Sequence, residues 1–404
     1  MIRIKDATRI SFRGICMRLV TVTAWVLLTL PGLTQVVVPS VVEEPAGKKP
    51  VTTGSGEWVL VIHGGAGSTE RGNLSADKEQ AYRQALTNAL QLGAKILSTG
   101  GTSVDAVEAV VKYMEDDSLF NAGKGAVLNA GGKAELDASI MDGNTGMAGA
   151  VACVTTIKNP VSAARLVMDK SPHVLLVGSG AENFAGRNKL EIVDPAYFIT
   201  RDRLDAWKKW KKANSSDLDE KDPDEMRNGK VKEVEKNRDI LKEKELKKSR
   251  ELEKQKELEK KKINDKADHG TVGAVARDQW GNLAAATSTG GMMGKMPGRV
   301  GDTPLIGAGT YANNKTCAIS GTGHGEYFIR NLIAYDISAL MEYRGMGLQE
   351  AANYVIQEKL KEKSGTGGVI GIDREGHYTM IFNTPSMFRG YIRSGEEAHT
   401  EIFP

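Results

Sequence analysis

The chain has 404 residues, with 54 Lys+Arg against 51 Asp+Glu, 45 Gly, 12 Pro and only 3 Cys. Its length leaves material for a large buried core and roughly two or three domains. A formal net charge of +3 excludes global attraction to nucleic acid or acidic membrane, and the lack of Cys/His clusters excludes a zinc framework or a disulfide-stapled miniature. The average hides a segregation. Residues 201–269 hold 23 Lys+Arg and 19 Asp+Glu, while the rest of the chain, with 31 and 32, is close to neutral.

Taken in chain order, Arg13 and Arg18 precede an uncharged apolar run, Leu19 to Leu30, broken at Pro31-Gly32. About a dozen apolar residues suit the core of a secretory signal better than a membrane span. Residues 1–38 are therefore expected to be an export signal of a periplasmic or secreted protein, with an uncleaved anchor as the alternative. Cys16 falls in this segment; Cys153 and Cys317 are expected as free thiols, although an exported protein could join them. Residues 39–56 read as a linker, and a globular pattern begins at residue 57.

Trp58-Val-Leu-Val-Ile62 is a buried strand ending in His63-Gly-Gly-Ala-Gly67. Glu79 to Leu97 has helical spacing and closes at Gly100-Gly101; Ser103 to Met114 repeats it, with Ser103 placed to cap. Strands are expected at Glu135–Met141, Ala148–Ile157 and Val174–Val177, with a helix at Pro160–Met168. Beyond residue 200 the periodic apolar signal fades. Leu241, Leu246, Leu252 and Leu258 stand in a Lys/Glu field without heptad spacing. Residues 201–270 are expected to be a solvated linker, partly a single helix held by pairs such as Glu243 with Lys247. Acids interleaved among the bases argue against a nucleic-acid partner.

The chemistry begins where this segment ends. Two short apolar runs flank Asp278-Gln-Trp-Gly-Asn282, a hairpin signature. Pairing Arg277 with Leu283 sets Thr271 opposite Thr289, so two hydroxyls meet at the open end. A β-branched cross-strand pair is the plain reading. The context adds another: Gly270 precedes Thr271, and a threonine freed as a new amino terminus carries its own amine as base. Downstream, Arg299 and Asp302 lie three residues apart on a Gly-rich loop, suited to a zwitterionic amino acid or to an internal salt bridge. Ser320-Gly-Thr-Gly-His-Gly-Glu326 then leads into a helix and offers backbone N–H groups to an anionic oxygen, with nucleotide phosphate as a competing ligand. No Walker-type or dinucleotide fingerprint accompanies it.

His63-Gly-Gly-Ala-Gly67, Phe120-Asn-Ala-Gly123, Glu135-Leu-Asp-Ala-Ser139, Met141-Asp-Gly-Asn144, Gly270-Thr-Val-Gly-Ala-Val275, Thr287-Ser-Thr-Gly-Gly291, Pro297-Gly-Arg-Val-Gly-Asp302 and Thr322-Gly-His-Gly-Glu326 occur in this order. Together they resemble the plant-type L-asparaginase/isoaspartyl peptidase family, from about Trp58 to Met387 apart from the charged segment. The resemblance implies an α+β fold, the four-layer αββα sandwich of N-terminal nucleophile hydrolases. It implies one precursor that cuts itself between Gly270 and Thr271 into an α-subunit core (57–200, with the linker 201–270) and a β-subunit (271–404). Dimers of such αβ heterodimers are usual in the family.

By the same resemblance Thr271 matches the nucleophile and Thr289 the threonine that tunes it, while Thr322 and Gly323 match the oxyanion hole. Arg299-Val300-Gly301-Asp302, His324-Gly325 and Asn121 match the substrate pocket, with Arg299 for the α-carboxylate and Asp302 for the α-amino group. The carbonyls of Met114, Glu115, Asp117, Phe120, Ala122 and Lys124 match a sodium loop, where Asp117 and Lys124 depart from the usual small or apolar residues. No cofactor is implied for catalysis. The expected activity is hydrolysis of β-aspartyl peptides and L-asparagine to L-aspartate. A glycosylasparaginase-like hydrolase and an uncleaved scaffold binding a partner through the Lys/Glu segment are the alternatives.

Overall fold

A computed structural model describes residues 56–214 and 270–404. The apolar run near the amino terminus and most of the charged segment lie outside the described residues. β1 (Val59–Gly67) is buried along nearly its whole length. Leu60 and Ile62 enter one core cluster, and Val59 and Val61 enter another, so the strand is covered on both faces. That is why its sequence is a continuous apolar run rather than an alternation.

The elements that follow are α1 (Ala76–Ser98), α2 (Ser103–Asp116), β2 (Leu136–Asp142), β3 (Ala148–Val154), α3 (Pro160–Lys170), β4 (Leu175–Val177), α4 (Gly178–Arg187) and α5 (Arg201–Ala213). After the undescribed stretch come β5 (Thr271–Arg277), β6 (Leu283–Thr289), β7 (Thr310–Ala312), β8 (Cys317–Gly323), α6 (Gly325–Asn331), α7 (Ile333–Arg344), α8 (Leu348–Asn353), β9 (Gly367–Asp373), β10 (Tyr378–Phe382), β11 (Ser386–Arg393) and β12 (His399–Glu401). An eight-stranded sheet has the order β12-β11-β1-β5-β6-β2-β3-β4, and a four-stranded sheet the order β10-β9-β8-β7.

Helices α1, α2 and α3 pack on one side of the larger sheet, and strands β7, β8 and β9 pack against its β1, β5, β6 and β2. Helices α7 and α8 pack on the smaller sheet. Three apolar clusters correspond to these contacts: helices on the large sheet, sheet on sheet, and the smaller sheet with its own helices. The β5–β6 hairpin is central. Ala274, Ala276, Ala284, Ala285 and Ala286 are fully buried in it, and their small side chains let a helix and a second sheet close over opposite faces.

Two local expectations need correction. Ser103 is the first helical residue of α2, and Thr102 caps it by accepting from the Asp105 N–H. The Ser103 hydroxyl is buried without a partner, because its own place in the first turn points it inward. The solvated segment also starts later than residue 201, since α5 is docked. Arg203 Nε donates to the Gly125 carbonyl at 2.7 Å and Trp207 Nε1 to the Asn129 carbonyl at 2.9 Å. Cys153, half-buried, and Cys317, buried, are both free thiols.

Candidate active site

The hairpin count holds residue for residue: Arg277 pairs with Leu283 and Thr271 with Thr289. Thr271 Oγ1 donates to Thr289 Oγ1 at 3.1 Å, and the Gly291 N–H donates to the same Thr289 oxygen at 3.0 Å. Thr289 is buried and Thr271 half-buried. The pair therefore has one oriented hydroxyl at the edge of the core and one fixed behind it.

The peptide entering Thr271 lies in a cradle made by a distant loop. β1 shifts register between His63 and Gly65, a bulge that turns its end across the start of β5. Gly65 has φ of +114°, and a Cβ there would sit 2.5 Å from Gly270 Cα and 3.1 Å from Thr271 N. Only glycine meets both conditions. On the other side, a Cβ on Gly270 would stand 3.3 Å from Asn121 Cβ. The Asn121 amide is itself committed: Nδ2 donates to the Gly291 carbonyl and Oδ1 accepts from the Val127 N–H, each at 2.8 Å. Asn121 thus ties two loops together behind Gly270.

Next to this cradle, the Ala66 N–H donates to Thr322 Oγ1 at 3.0 Å, which leaves the Thr322 hydroxyl proton for another acceptor. Thr322 is buried near the end of β8, where Gly323 pairs with Gly367. Beneath Thr271, His63 Nδ1 lies 2.9 Å from the Thr271 carbonyl and Nε2 2.9 Å from Ser320 Oγ. Burial drives its pKa down to about 3, against the opposing pull of the Thr271 carbonyl. It is a neutral imidazole with both nitrogens occupied.

Arg299 and Asp302 form the charged part of the site. Gly325 lies between them, since a Cβ there would stand 2.8 Å from Asp302 Oδ1 and 3.0 Å from Arg299 Nη2. Asp302 Oδ2 is buried without a hydrogen-bond partner, and the buried Arg299 Nη2 has only the Glu326 carboxylate, 2.8 Å away, beside it. Such groups are costly in a folded protein and call for a ligand carrying both signs. Burial pushes the Asp302 carboxyl up to about 7, with Arg299 pulling it down and Glu326 and Asp137 pushing it further up. Gly301 is buried and Val300 half-buried in the same loop. His324 Nδ1 faces Thr366 Oγ1 at 2.9 Å.

The loop after α2 brings carbonyls together. A Cβ on Gly125 would lie 2.1 Å from the Phe120 oxygen and 2.6 Å from the Ser118 oxygen, and one on Gly123 2.3 Å from the Glu115 oxygen. The Lys124 ammonium sits 5.7 Å from the Tyr197 ring centre. The Glu115 side chain faces elsewhere: burial raises its pKa to about 8 although Ser288 donates to it.

With this geometry in place, residues 56–402 match the sequence model of the asparaginase family. The chain belongs to the asparaginase family. Similar proteins include an isoaspartyl peptidase of Salmonella typhimurium, 45% identical over 85% of this chain and 98% of its own. An isoaspartyl peptidase of Escherichia coli is 44% identical over 86% and 97%, and an isoaspartyl peptidase/L-asparaginase of Bos taurus 39% over 81% and 91%. These relatives correct the expectation of an exported or anchored protein. They are named isoaspartyl peptidases, and among the described residues no helix is long and apolar enough to cross a membrane.

Sequence reading singled out the threonines and the Arg299–Asp302 loop, and it did not signal three features of the structure. The His63-Gly-Gly loop resembles one beneath the nucleophile, but the imidazole's partners Thr271 and Ser320 are more than 200 residues away and carried no signal. The Arg299–Glu326 pair, and the docking of α5 beside the Gly291 loop, carried no local signal.

Proposed function

We propose that the chain is an autoprocessing threonine amidohydrolase that releases L-aspartate from β-aspartyl peptides and L-asparagine. The observation that carries this reading is the Thr271–Thr289 hydroxyl pair, with the buried, unpartnered Asp302 Oδ2 and the Arg299 guanidinium as the charged groups. The stacked helix, sheet, sheet and helix contacts support the four-layer sandwich of this enzyme class.

In the precursor, Thr271 Oγ1 attacks the Gly270 carbonyl carbon. The C–N bond breaks, the amine is protonated, and the acyl group passes to oxygen. Water then hydrolyses the ester and leaves Gly270 as a carboxylate and Thr271 as an amino terminus. The described α-part ends with α5 at the charged linker, and the β-subunit starts at Thr271. Gly65 and Asn121 hold the bond that breaks from both sides.

In the mature enzyme the neutral Thr271 amine takes the hydroxyl proton, directly or through water. Histidine is excluded from that role at His63, since its Nδ1–H is spent on a carbonyl and its Nε2 on Ser320. The alkoxide adds to the side-chain carbonyl of the substrate. The Thr322 hydroxyl and the Gly323 N–H stabilise the oxyanion, a contribution of about 10²–10³-fold per donor in comparable sites. Ammonia or the peptide amine leaves with the transferred proton, and water cleaves the β-aspartyl ester. Arg299 takes the α-carboxylate and Asp302 the α-ammonium. A structural sodium ion on the carbonyls of Met114, Glu115, Asp117, Phe120, Ala122 and Lys124 is part of the same proposal and would stiffen the loop that carries Asn121. Dimers of αβ heterodimers fit the isoaspartyl peptidase reading.

The test is a denaturing gel of purified protein with amino-terminal sequencing of the smaller band, which should begin at Thr271. Thr271→Ala should remain one chain without activity. A fragment beginning elsewhere, or a cleaved Thr271→Ala chain, would sink the mechanism. Aspartate release from β-Asp-Leu rather than from glycosylated asparagine separates this reading from a glycosylasparaginase.

A further inference from the structure

A buried line of side chains runs under the nucleophile and is not used by the chemistry above. The Thr271 carbonyl can only accept, so His63 Nδ1 carries the proton of their 2.9 Å contact. A neutral imidazole then has Nε2 as an acceptor, and Ser320 Oγ must donate to it. With that proton spent, the 2.7 Å contact between Ser320 and Thr287 has Thr287 as donor. Thr310 Oγ1 donates to Thr287 Oγ1, while Ser139 Oγ, 2.8 Å from Thr310 Oγ1, donates to the Thr303 carbonyl, which can only accept. His63, Ser320, Thr287, Thr310 and Ser139 are all fully buried. From Thr310 to His63 the protons run one way, each hydroxyl donating towards the imidazole.

The backbone explains why such a device sits here. The β1–β5 ladder ends at His63 opposite Gly273, where β1 bulges away. The His63 imidazole meets the Thr271 carbonyl beyond the point where the strand stops. It can reach because residue 273 is glycine: a Cβ there would lie 2.0 Å from Ser320 Oγ and 2.4 Å from His63 Nε2. Once the Gly270–Thr271 bond is cut, Thr271 has no chain ahead of it, and what holds it is β6 and this imidazole.

We propose that His63 is a positioning residue for Thr271, locked in its Nδ1–H form by the hydroxyl chain Ser320–Thr287–Thr310. The proposal rests on the reading of Thr271 as nucleophile. It assigns His63 no proton transfer; the imidazole fixes the Thr271 carbonyl and so the aim of the amine and hydroxyl.

The test compares His63→Asn with His63→Gln. The Asn amide nitrogen reproduces the place of Nδ1 and can still donate to the carbonyl, whereas the Gln amide reproduces the place of Nε2. For β-Asp-Leu hydrolysis, H63Q should lose about 10²-fold in kcat with KM unchanged, because a misaimed nucleophile slows chemistry while Arg299 and Asp302 still bind; H63N should recover most of that loss. Equal kcat in both variants and wild type overturns the proposal. So does a loss common to both that tracks thermal stability.

If either variant fails to mature, nitrogen-15 spectra of the wild-type histidines decide instead. His63 should carry its proton on Nδ1, and a proton on Nε2 overturns the proposal. The two levels fail separately. A Thr271→Ala enzyme that still turns over removes the nucleophile reading, whereas an inactive one beside an unaffected H63Q removes only the role of His63.

Discussion

Glu326 Oε1 accepts from Arg299 Nε at 2.9 Å and lies 2.8 Å from Nη2, so one edge of the guanidinium is committed to a carboxylate of the protein itself. Burial works against ionisation of Glu326, but the hydrogen bond and charge of Arg299 outweigh it and hold the pKa below the usual carboxylate range. The same negative charge pushes the Asp302 carboxyl up. Glu326→Gln keeps an oxygen for Arg299 Nε and deletes the charge. The acid limb of kcat/KM should then move to lower pH by about half to one unit. A pH profile with the limb unmoved, or moved upward, counts against this coupling.

Asp302 sets that limb. Its carboxyl, pushed up to about 7, is largely protonated in acid and cannot take an ammonium group well. For asparagine, kcat/KM should rise with pH to about 7, while kcat should show the limb at lower pH, because the bound ammonium favours the charged carboxylate. Succinamate keeps the carboxylate and the amide but lacks the ammonium. Its kcat/KM, measured over the same range, should lack the Asp302 limb. An identical limb for both substrates would assign the ionisation to another group.

How much of this was legible in the sequence depended on separation along the chain. The Thr271–Thr289 pair follows from a count through a short turn, because two strands joined by five residues leave little freedom of register. The glycines at 64 and 65 were visible, but the reason for Gly65 is a backbone that arrives from residue 270. Thr102 and Ser103 are both good caps, and only the backbone dihedrals choose between them. Trp207 and Trp210 stood in a field of Lys and Asp, where two aromatics could not outweigh the average of their neighbours. The apolar run before residue 31 gave an expectation of export that local pattern could not check.

His63 and Asp302 should oppose each other in the dependence of stability on pH. The folded pKa of His63 is depressed from 6.5 to about 3, so its contribution is present above 6.5 and lost as pH falls towards 3. The folded pKa of Asp302 is raised from 3.8 to about 7, so its contribution is present below 3.8 and lost as pH rises to about 7. The two trends largely cancel in between. Relative to wild type, the urea midpoint of Asp302→Asn should rise with pH across this window, and that of His63→Asn should fall. Parallel curves for all three proteins would mean that neither group titrates as buried.

Helix α5 should hold the end of the α-part in place after cleavage. Trp210 lies so close over Gly294 that a Cβ there would be 2.1 Å from its ring, and Trp207 covers Gly132 while bonding Asn129. Gly294 lies three residues after Gly291, whose N–H supports Thr289. Both tryptophans are half-buried, so Trp210→Ala should cost less than a full core truncation, about 1–3 kcal/mol. The measurable result is a lower melting temperature together with faster proteolytic trimming between residues 201 and 214. A variant that resists trimming like wild type would show that α5 is held by other contacts.

Gly65 offers the sharpest separation of processing from folding. Its φ of +114° disfavours any side chain, and an added Cβ would meet Gly270 Cα at 2.5 Å, with the Gly270 carbonyl carbon at 3.3 Å. The clash falls on the peptide that must react and on backbone, which cannot swing aside as a side chain end can. Overpacking of this kind costs about 1–3 kcal/mol, an amount that a domain of this size can absorb while remaining folded. Gly65→Ala should therefore yield a folded, uncut precursor, seen as one band on a denaturing gel with a cooperative melt. Gly72, also at positive φ but with nothing within 4 Å of a Cβ, provides the matched control. Gly72→Ala should mature at the wild-type rate. If Gly65→Ala also matured at that rate, the cradle around Gly270 would have no part in cleavage.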